Sequence, residues 1–198
     1  WRVALALSLA FGTLALAVGY WGVVQAPELT RSPYDAAVIA ASRTVPRGRI
    51  LDRNGGVLAT NKKDENGEVD RVYSAPIISA VVGHASPRDG CGGLERAYDA
   101  ELSGLTGDPL RDPFRKFRSD PYDPKDLTLS LDYALQRAAV RALGDQKGAV
   151  VMLDPRTGEV LAMASNPYYD ANLITNPDTA EAAFKALQAD PNEPLLPR

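Results

Sequence analysis

Few side chains in this chain could carry chemistry by their type and spacing. There is one histidine, His84, and one cysteine, Cys91, so neither an intramolecular disulfide nor a histidine/cysteine metal cage can form. Cys91 sits in the turn-like run Asp89-Gly90-Cys91-Gly92-Gly93 and reads as a spacer rather than a reactive thiol. His84 follows Ala80-Val81-Val82-Gly83 with no second ligand or acid beside it, which favours a structural imidazole. A serine nucleophile of the serine–lysine type needs its lysine one helical turn on. Ser8, Ser32, Ser42, Ser74, Ser79, Ser86, Ser103, Ser119, Ser130 and Ser165 all lack a lysine three residues later. Arg156-Thr157-Gly158 has the outline of a K-T-G element but falls at a hairpin tip, and Ser165-Asn166 lacks the spacing of S-x-N. No catalytic, cofactor-binding or metal-binding residue is therefore assigned within these 198 residues. Arg43, Arg47 and Arg53 read as a solvated basic face. The net charge of -3 and pI near 5.2 give no electrostatic footprint for nucleic acid.

The elements that would position such residues follow from the patterning. Hydrophobic residues make up 45% and charged residues 24%, a balance that can build a core. Residues 3–24 carry no charge. As a helix this stretch spans about 33 Å, enough for a bilayer core of about 30 Å, and Tyr20 and Trp21 sit where interfacial aromatics belong. Val24-Gln25-Ala26 has the form of a signal-peptide cleavage site, but the apolar run exceeds an ordinary signal core, which favours an uncleaved anchor. Residues 27–41 are expected to form a juxtamembrane helix or stalk. Ile50-Leu51 and residues 57–59 flank the turn residues 52–56 and predict a hairpin. Residues 62–70 read as a surface loop, 73–82 as strand entering helix, and 93–102 as a short helix closed by Ser103-Gly104. Residues 106–125, rich in proline and charge, form a linker.

Beyond it the pattern sharpens. Leu127, Leu129 and Leu131 alternate with polar residues, predicting a half-buried strand. Asp132 is an N-cap for a helix with an apolar face of Leu135, Ala138, Ala139, Ala142 and Leu143, ended by Gly144. Residues 149–153 read as a buried central strand, 154–158 as a turn, and 160–164 as the antiparallel return strand. Asn176 is expected to cap a last helix with Pro177 at its first position, Ala183, Phe184 and Leu187 on its apolar face, and Asp190-Pro191 at its end.

These pieces, in this order, resemble the class B penicillin-binding proteins. Arg47-Gly48-Arg49-Ile50-Leu51-Asp52-Arg53-Asn54-Gly55 is similar to the opening strand of their pedestal, or dimerisation, domain. Gly93-Leu94-Glu95, Tyr98-Asp99 and Leu102-Ser103-Gly104 are similar to the segment that follows. Leu127 to Asp132 with Leu135-Gln136 resembles the opening of the transpeptidase domain, and residues 148–163 resemble its first hairpin, followed by Asn166-Pro167, Asp170 and Asn172. Pro194-Leu195-Leu196 with Arg198 resembles the run-up to the active-site helix. The resemblance implies an α+β chain: a transmembrane anchor at 1–26, a pedestal with linker at 27–125, and the N-terminal part of a transpeptidase domain at 126–198. It implies acyl transfer by a serine outside these residues, with Trp1 and Arg198 read as cuts and the 198-residue chain inactive alone. It also implies peptidoglycan stem peptides as substrate, a SEDS-type glycan polymerase as membrane partner, no cofactor, and a single-pass location in the bacterial cytoplasmic membrane. Two other readings stay open: a non-catalytic pedestal-like adaptor, and a penicillin-recognising sensor on the same fold. The pedestal-like segment 47–104 argues against the sensor.

Overall fold

The computed structural model describes residues 1–21, 45–64, 67–104 and 123–195. The chain divides into a first unit of residues 1–39 and a second of residues 40–198. The first holds α1 (Arg2–Gly19), long and apolar enough to cross a membrane and without a buried residue. Tyr20 and Trp21 meet edge-to-face at 6.0 Å just beyond it. The expected end of the span at residue 24, the stalk at 27–41, Arg43 and most of the linker lie outside the described residues.

In the second unit, β1 (Ile50–Leu51) turns back into β2 (Val57–Lys63), which pairs with β3 (Val69–Tyr73). The turn between β1 and β2 is organised by Asp52. Its buried carboxylate accepts from the backbone N–H groups of Asn54 at 2.9 Å and Gly56 at 2.6 Å, an Asx-type closure that local sequence could specify. The expected loop at 62–70 is instead the tip of a second hairpin, whose strands run to Lys63 and from Val69. The charges there sit on half-exposed strand ends, a pattern that does not distinguish strand from loop. Residues 73–82 also depart from expectation. The strand ends at Tyr73, and a 3₁₀ turn at Pro76–Ile78 leads into one helical turn, α2 (Ser79–Val82), because Pro76 at a first helical position favours helix over ladder.

Next come β4 (Ala85–Ser86) and β5 (Gly90–Cys91), a small antiparallel pair. The expected helix over 93–102 divides at Tyr98 (φ -114°, ψ 28°) into α3 (Gly93–Ala97) and α4 (Asp99–Ser103). β6 (Leu127–Thr128) then pairs parallel with β1, giving a four-stranded sheet in the order β3-β2-β1-β6. Only two residues of the expected 127–131 strand pair. This close approach explains Gly48, since the main chain at Lys125 occupies the space a Cβ there would need.

α5 (Tyr133–Leu143) starts as expected on Asp132, which accepts from Ala134 N–H at 2.9 Å and Leu135 N–H at 3.2 Å, and ends at Gly144. Ala139 is buried on its inner face. So is Gln136, fully, which the apolar periodicity left out. β7 (Gly148–Leu153) and β8 (Val160–Asn166) form the expected antiparallel hairpin. β7 is not a buried central strand, however: Val151 and Leu153 are about half exposed while their neighbours turn toward α5. The chain closes with α6 (Ala171–Thr175), capped by Asp170, and α7 (Ala180–Ala189). Asn176 does not cap the last helix. Its side chain accepts from Asp178 N–H at 3.0 Å, closing an Asx turn, so helix begins only after Thr179.

The main core takes Ile50, Leu58, Tyr73, Ile78, Val82 and Leu102 from the residues before the linker and Leu131, Tyr169 and Ile174 from those after it. A smaller cluster of Ala139, Ala162 and Ala164 lies between α5 and β8.

Candidate functional site

The buried ion pairs and amide contacts among the described residues lie along a seam where α3 and α6 meet the four-stranded sheet. Glu95 is fully buried and takes two arginines, Arg71 on β3 and Arg47 just ahead of β1. Arg71 Nε donates to its Oε1 at 2.7 Å, and Arg47 Nη2 lies 3.1 Å from Oε2. The Tyr73 hydroxyl donates to Oε1 at 3.3 Å, and Arg47 Nη1 reaches Asp99 at 2.8 Å. Burial opposes the charge on Arg47, but the carboxylates of Glu95 and Asp99 outweigh it and hold the guanidinium above its ordinary value. Burial, with Glu95 beside it, pushes the Tyr73 hydroxyl well up. Arg47 is therefore a partly buried ion-pair partner and not part of a solvated face. Its carboxylate partner Glu95 is 48 residues away in sequence, beyond the reach of any local pattern. Arg53 does stay half-exposed, 3.5 Å from Glu159.

Three amide side chains fasten the seam. Asn172 pairs with the free edge of β3 as a one-residue strand would, accepting from Tyr73 N–H at 2.9 Å and donating to Tyr73 C=O at 3.1 Å. Asp170 holds it in place by accepting from its N–H. Gln136 does the same for β8, accepting from Met163 N–H at 2.8 Å and donating to Met163 C=O at 2.9 Å and Ile77 C=O at 3.0 Å. Asn61 donates to Arg47 C=O and accepts from Arg47 N–H at 3.2 Å.

Cys91 packs beside Asp99, and burial pushes its thiol up to about 12, so it is held protonated. His84 is buried against Tyr169, and burial lowers its pKa. The Arg156-Thr157-Gly158 run lies at the tip of the β7–β8 hairpin, where Arg156 pairs with Asp154 of its own turn and is highly exposed. Of the described serines, the Ser79 hydroxyl accepts from Tyr169 N–H, Ser103 donates to Asp99 C=O, and Ser130 donates to Val160 C=O. Among the described residues no cluster of three His, Cys, Asp or Glu could hold a metal. Sequence reasoning missed Glu95 and Gln136 as anchors, and the signal available for both was a polar residue at a position where helical spacing calls for an apolar one.

The geometry has known counterparts. Residues 47–116 match the family model of the penicillin binding protein A dimerisation domain, and residues 148–190 match that of the penicillin binding protein transpeptidase domain. The peptidoglycan D,D-transpeptidase PbpA of Mycolicibacterium smegmatis is 34% identical over 213 residues, covering 100% of this chain and 42% of that protein. The peptidoglycan D,D-transpeptidase MrdA of Escherichia coli is 38% identical over 113 residues, 54% of this chain and 18% of that one. The chain thus spans less than half the length of the curated relatives it matches. Among solved structures, PbpA of Mycobacterium tuberculosis superposes with a TM-score of 0.65 at 33% identity, over 77% of this chain and 36% of that chain. Its penicillin G acyl-enzyme complex superposes with a TM-score of 0.64 at 32% identity, over 76% and 37%.

Proposed function

The chain belongs to the class B penicillin-binding proteins, and from that premise we propose that it is the N-terminal portion of a membrane-anchored peptidoglycan D,D-transpeptidase. The observation that carries this reading is the order of its parts: the pedestal segment and the opening transpeptidase hairpin follow one another as in PbpA, a relative captured as a penicillin G acyl-enzyme. Residues 1–26 serve as anchor in the bacterial cytoplasmic membrane, 27–125 as pedestal and linker, and 126–198 as the first part of the catalytic domain. The bulk of the chain is then extracytoplasmic. The reaction is acyl transfer: a serine attacks the D-alanyl-D-alanine amide of one stem peptide and expels the terminal D-alanine, whose amine takes up the proton, and an amine of another stem peptide then displaces the serine, forming the cross-link and restoring the hydroxyl. None of the ten serines here has the lysine that such a nucleophile requires, so the nucleophile lies outside these 198 residues. The role of the hairpin and its seam is positioning.

Labelling with a fluorescent penicillin tests the reading. The intact protein becomes covalently labelled at a serine followed three residues later by lysine, and the 198-residue chain alone does not. Boil-resistant labelling of the 198-residue chain would overturn the placement of the nucleophile. An unlabelled intact protein would favour a non-catalytic adaptor instead.

A membrane partner belongs to the same proposal. Ser8, Gly12, Ala15 and Gly19 share one face of α1, the small-residue spacing that lets helices approach closely, and a SEDS-type glycan polymerase is the partner proposed for that face. Gly12→Leu with Gly19→Leu should reduce co-purification of the polymerase. An unchanged complex leaves α1 as a tether.

A further inference from the structure

His84 ties the β4–β5 hairpin to the C-terminal part of the unit. His84, at the foot of the hairpin, is 8% exposed. Its Nδ1 lies 2.9 Å from the Tyr169 hydroxyl. Its ring meets Tyr169 edge-on at 5.8 Å and Phe184 of α7 at 6.2 Å. Gly92 closes the other side: a Cβ there would stand 2.9 Å from the imidazole Cε1, and its N–H donates to His84 C=O at 2.8 Å. Tyr169 is itself fixed, donating its N–H to the Ser79 hydroxyl at 3.2 Å. One ion pair, Arg88–Glu181 at 3.1 Å, bridges the same two elements at the exposed rim.

We propose that His84 is a pH-sensitive latch: its neutral imidazole closes the β4–β5 hairpin onto Tyr169 and α7, and its protonation releases them. The charges around the ring make it so. On its own hairpin, Asp89 is engaged by the Ser86 hydroxyl and Arg88 points to the rim. From α3, Glu95 is already paired with Arg47 and Arg71. From the segment before α6, Tyr169 offers a hydroxyl that burial pushes up to about 12, neutral at any working pH. From α7, Phe184 is apolar and Glu181 is turned to Arg88. Among the described residues no carboxylate is hydrogen-bonded to the ring. A charged imidazole would therefore sit among aromatic groups with only the neutral Tyr169 hydroxyl to accept from it and no anion hydrogen-bonded to it, a cost that opening relieves. Burial, the largest influence, lowers the His84 pKa from 6.5, with Asp89 and Glu95 opposing it only in part. The open state then binds the proton more tightly, so the closed state is favoured above pH 6.5 and is lost as pH falls through the lowered value. The device rests on packing alone and stands whether or not the transpeptidase reading holds.

Hydrogen exchange of the intact membrane protein in detergent, corrected for intrinsic rates, tests the latch. Between about pH 7.5 and about pH 5.5, peptides covering 84–92 and 169–189 should gain roughly five- to tenfold in exchange rate, while the β2–β3 hairpin does not change. His84→Phe keeps the aromatic packing and should abolish this response. Tyr169→Phe should speed exchange at both pH values and keep the response. Wild type without the response, or His84→Phe with it, overturns the proposal. Should His84→Phe not fold, a histidine-selective NMR titration of wild type decides, with the resonance assigned by its absence from His84→Gln. An inflection below 6.5 supports the latch, and one at or above 6.5 overturns it.

Discussion

Glu95 concentrates more of this molecule's electrostatics than any other described residue. A carboxylate with no exposure is tolerable here because two guanidinium groups and a tyrosine hydroxyl converge on it. Burying such a set gains little over an apolar core of the same shape, but removing one member leaves uncompensated charge. Glu95→Gln should therefore cost about 3–5 kcal/mol, read as a shift in the urea midpoint at unchanged slope. A change under about 1 kcal/mol would show that water reaches the site. The pair Arg49–Asp126 is the internal control: it is as short, at 2.6 Å, but both partners are substantially exposed. Arg49→Ala should shift the same midpoint far less, because solvent screens the pair.

At the scale of elements, two side chains do what neighbouring strands usually do. Gln136 reaches from α5 to cover the outer backbone groups of β8 at Met163 and also holds Ile77 C=O. Gln136→Leu keeps the volume and leaves three partly buried backbone groups unpaired. A loss of at least about 2 kcal/mol is expected, with hydrogen exchange at Met163 rising first. A loss confined to α5, with Met163 still protected, would place the anchor elsewhere. The cap of the same helix is a separate contribution. Asp132→Ala should cost about 1 kcal/mol. The bonds from Leu135 N–H, the Asn54 side chain and Ala134 N–H hold the Asp132 carboxyl below its ordinary 3.8. Its share of stability is present above that value and lost as pH falls through the lowered one.

At the scale of the whole molecule, the β7–β8 hairpin has one covered and one uncovered face. α5 lies on the first. On the other, Val151 is 52% and Leu153 57% exposed, with Met163 and Val160 at 36%. Apolar strand surface of this kind pairs or aggregates unless it is covered. The 198-residue chain, purified in detergent sufficient for α1, should therefore self-associate. Val151→Thr with Leu153→Lys should shift its size-exclusion profile toward monomer without lowering the urea midpoint. A monodisperse wild-type chain would show that the surface is compatible with water as it stands.

Sequence alone determined the features whose causes are local. Asp52 and Asp132 accept from N–H groups within four residues, the 154–158 turn closes on itself, and the order of the motifs marks the family. The antiparallel pairing of residues 149–153 with 160–164 followed from the short turn between them. Tertiary structure decided the rest, because its causes are far apart in the chain. Whether an arginine is solvated depends on where a carboxylate ends up, and Glu95 reaches Arg47 only after the sheet and α3 have packed. A continuous apolar run is equally compatible with a strand buried on both faces and one covered on a single face. Only the placement of α5 exposed Val151 and Leu153. Local sequence gives Asn172 no signature that separates a surface amide from a buried fastener, helical spacing only hints at Gln136, and a structural reading of His84 names no partner. What distinguishes them is an unpaired strand edge or an aromatic pocket opposite, and those exist only once the seam has closed.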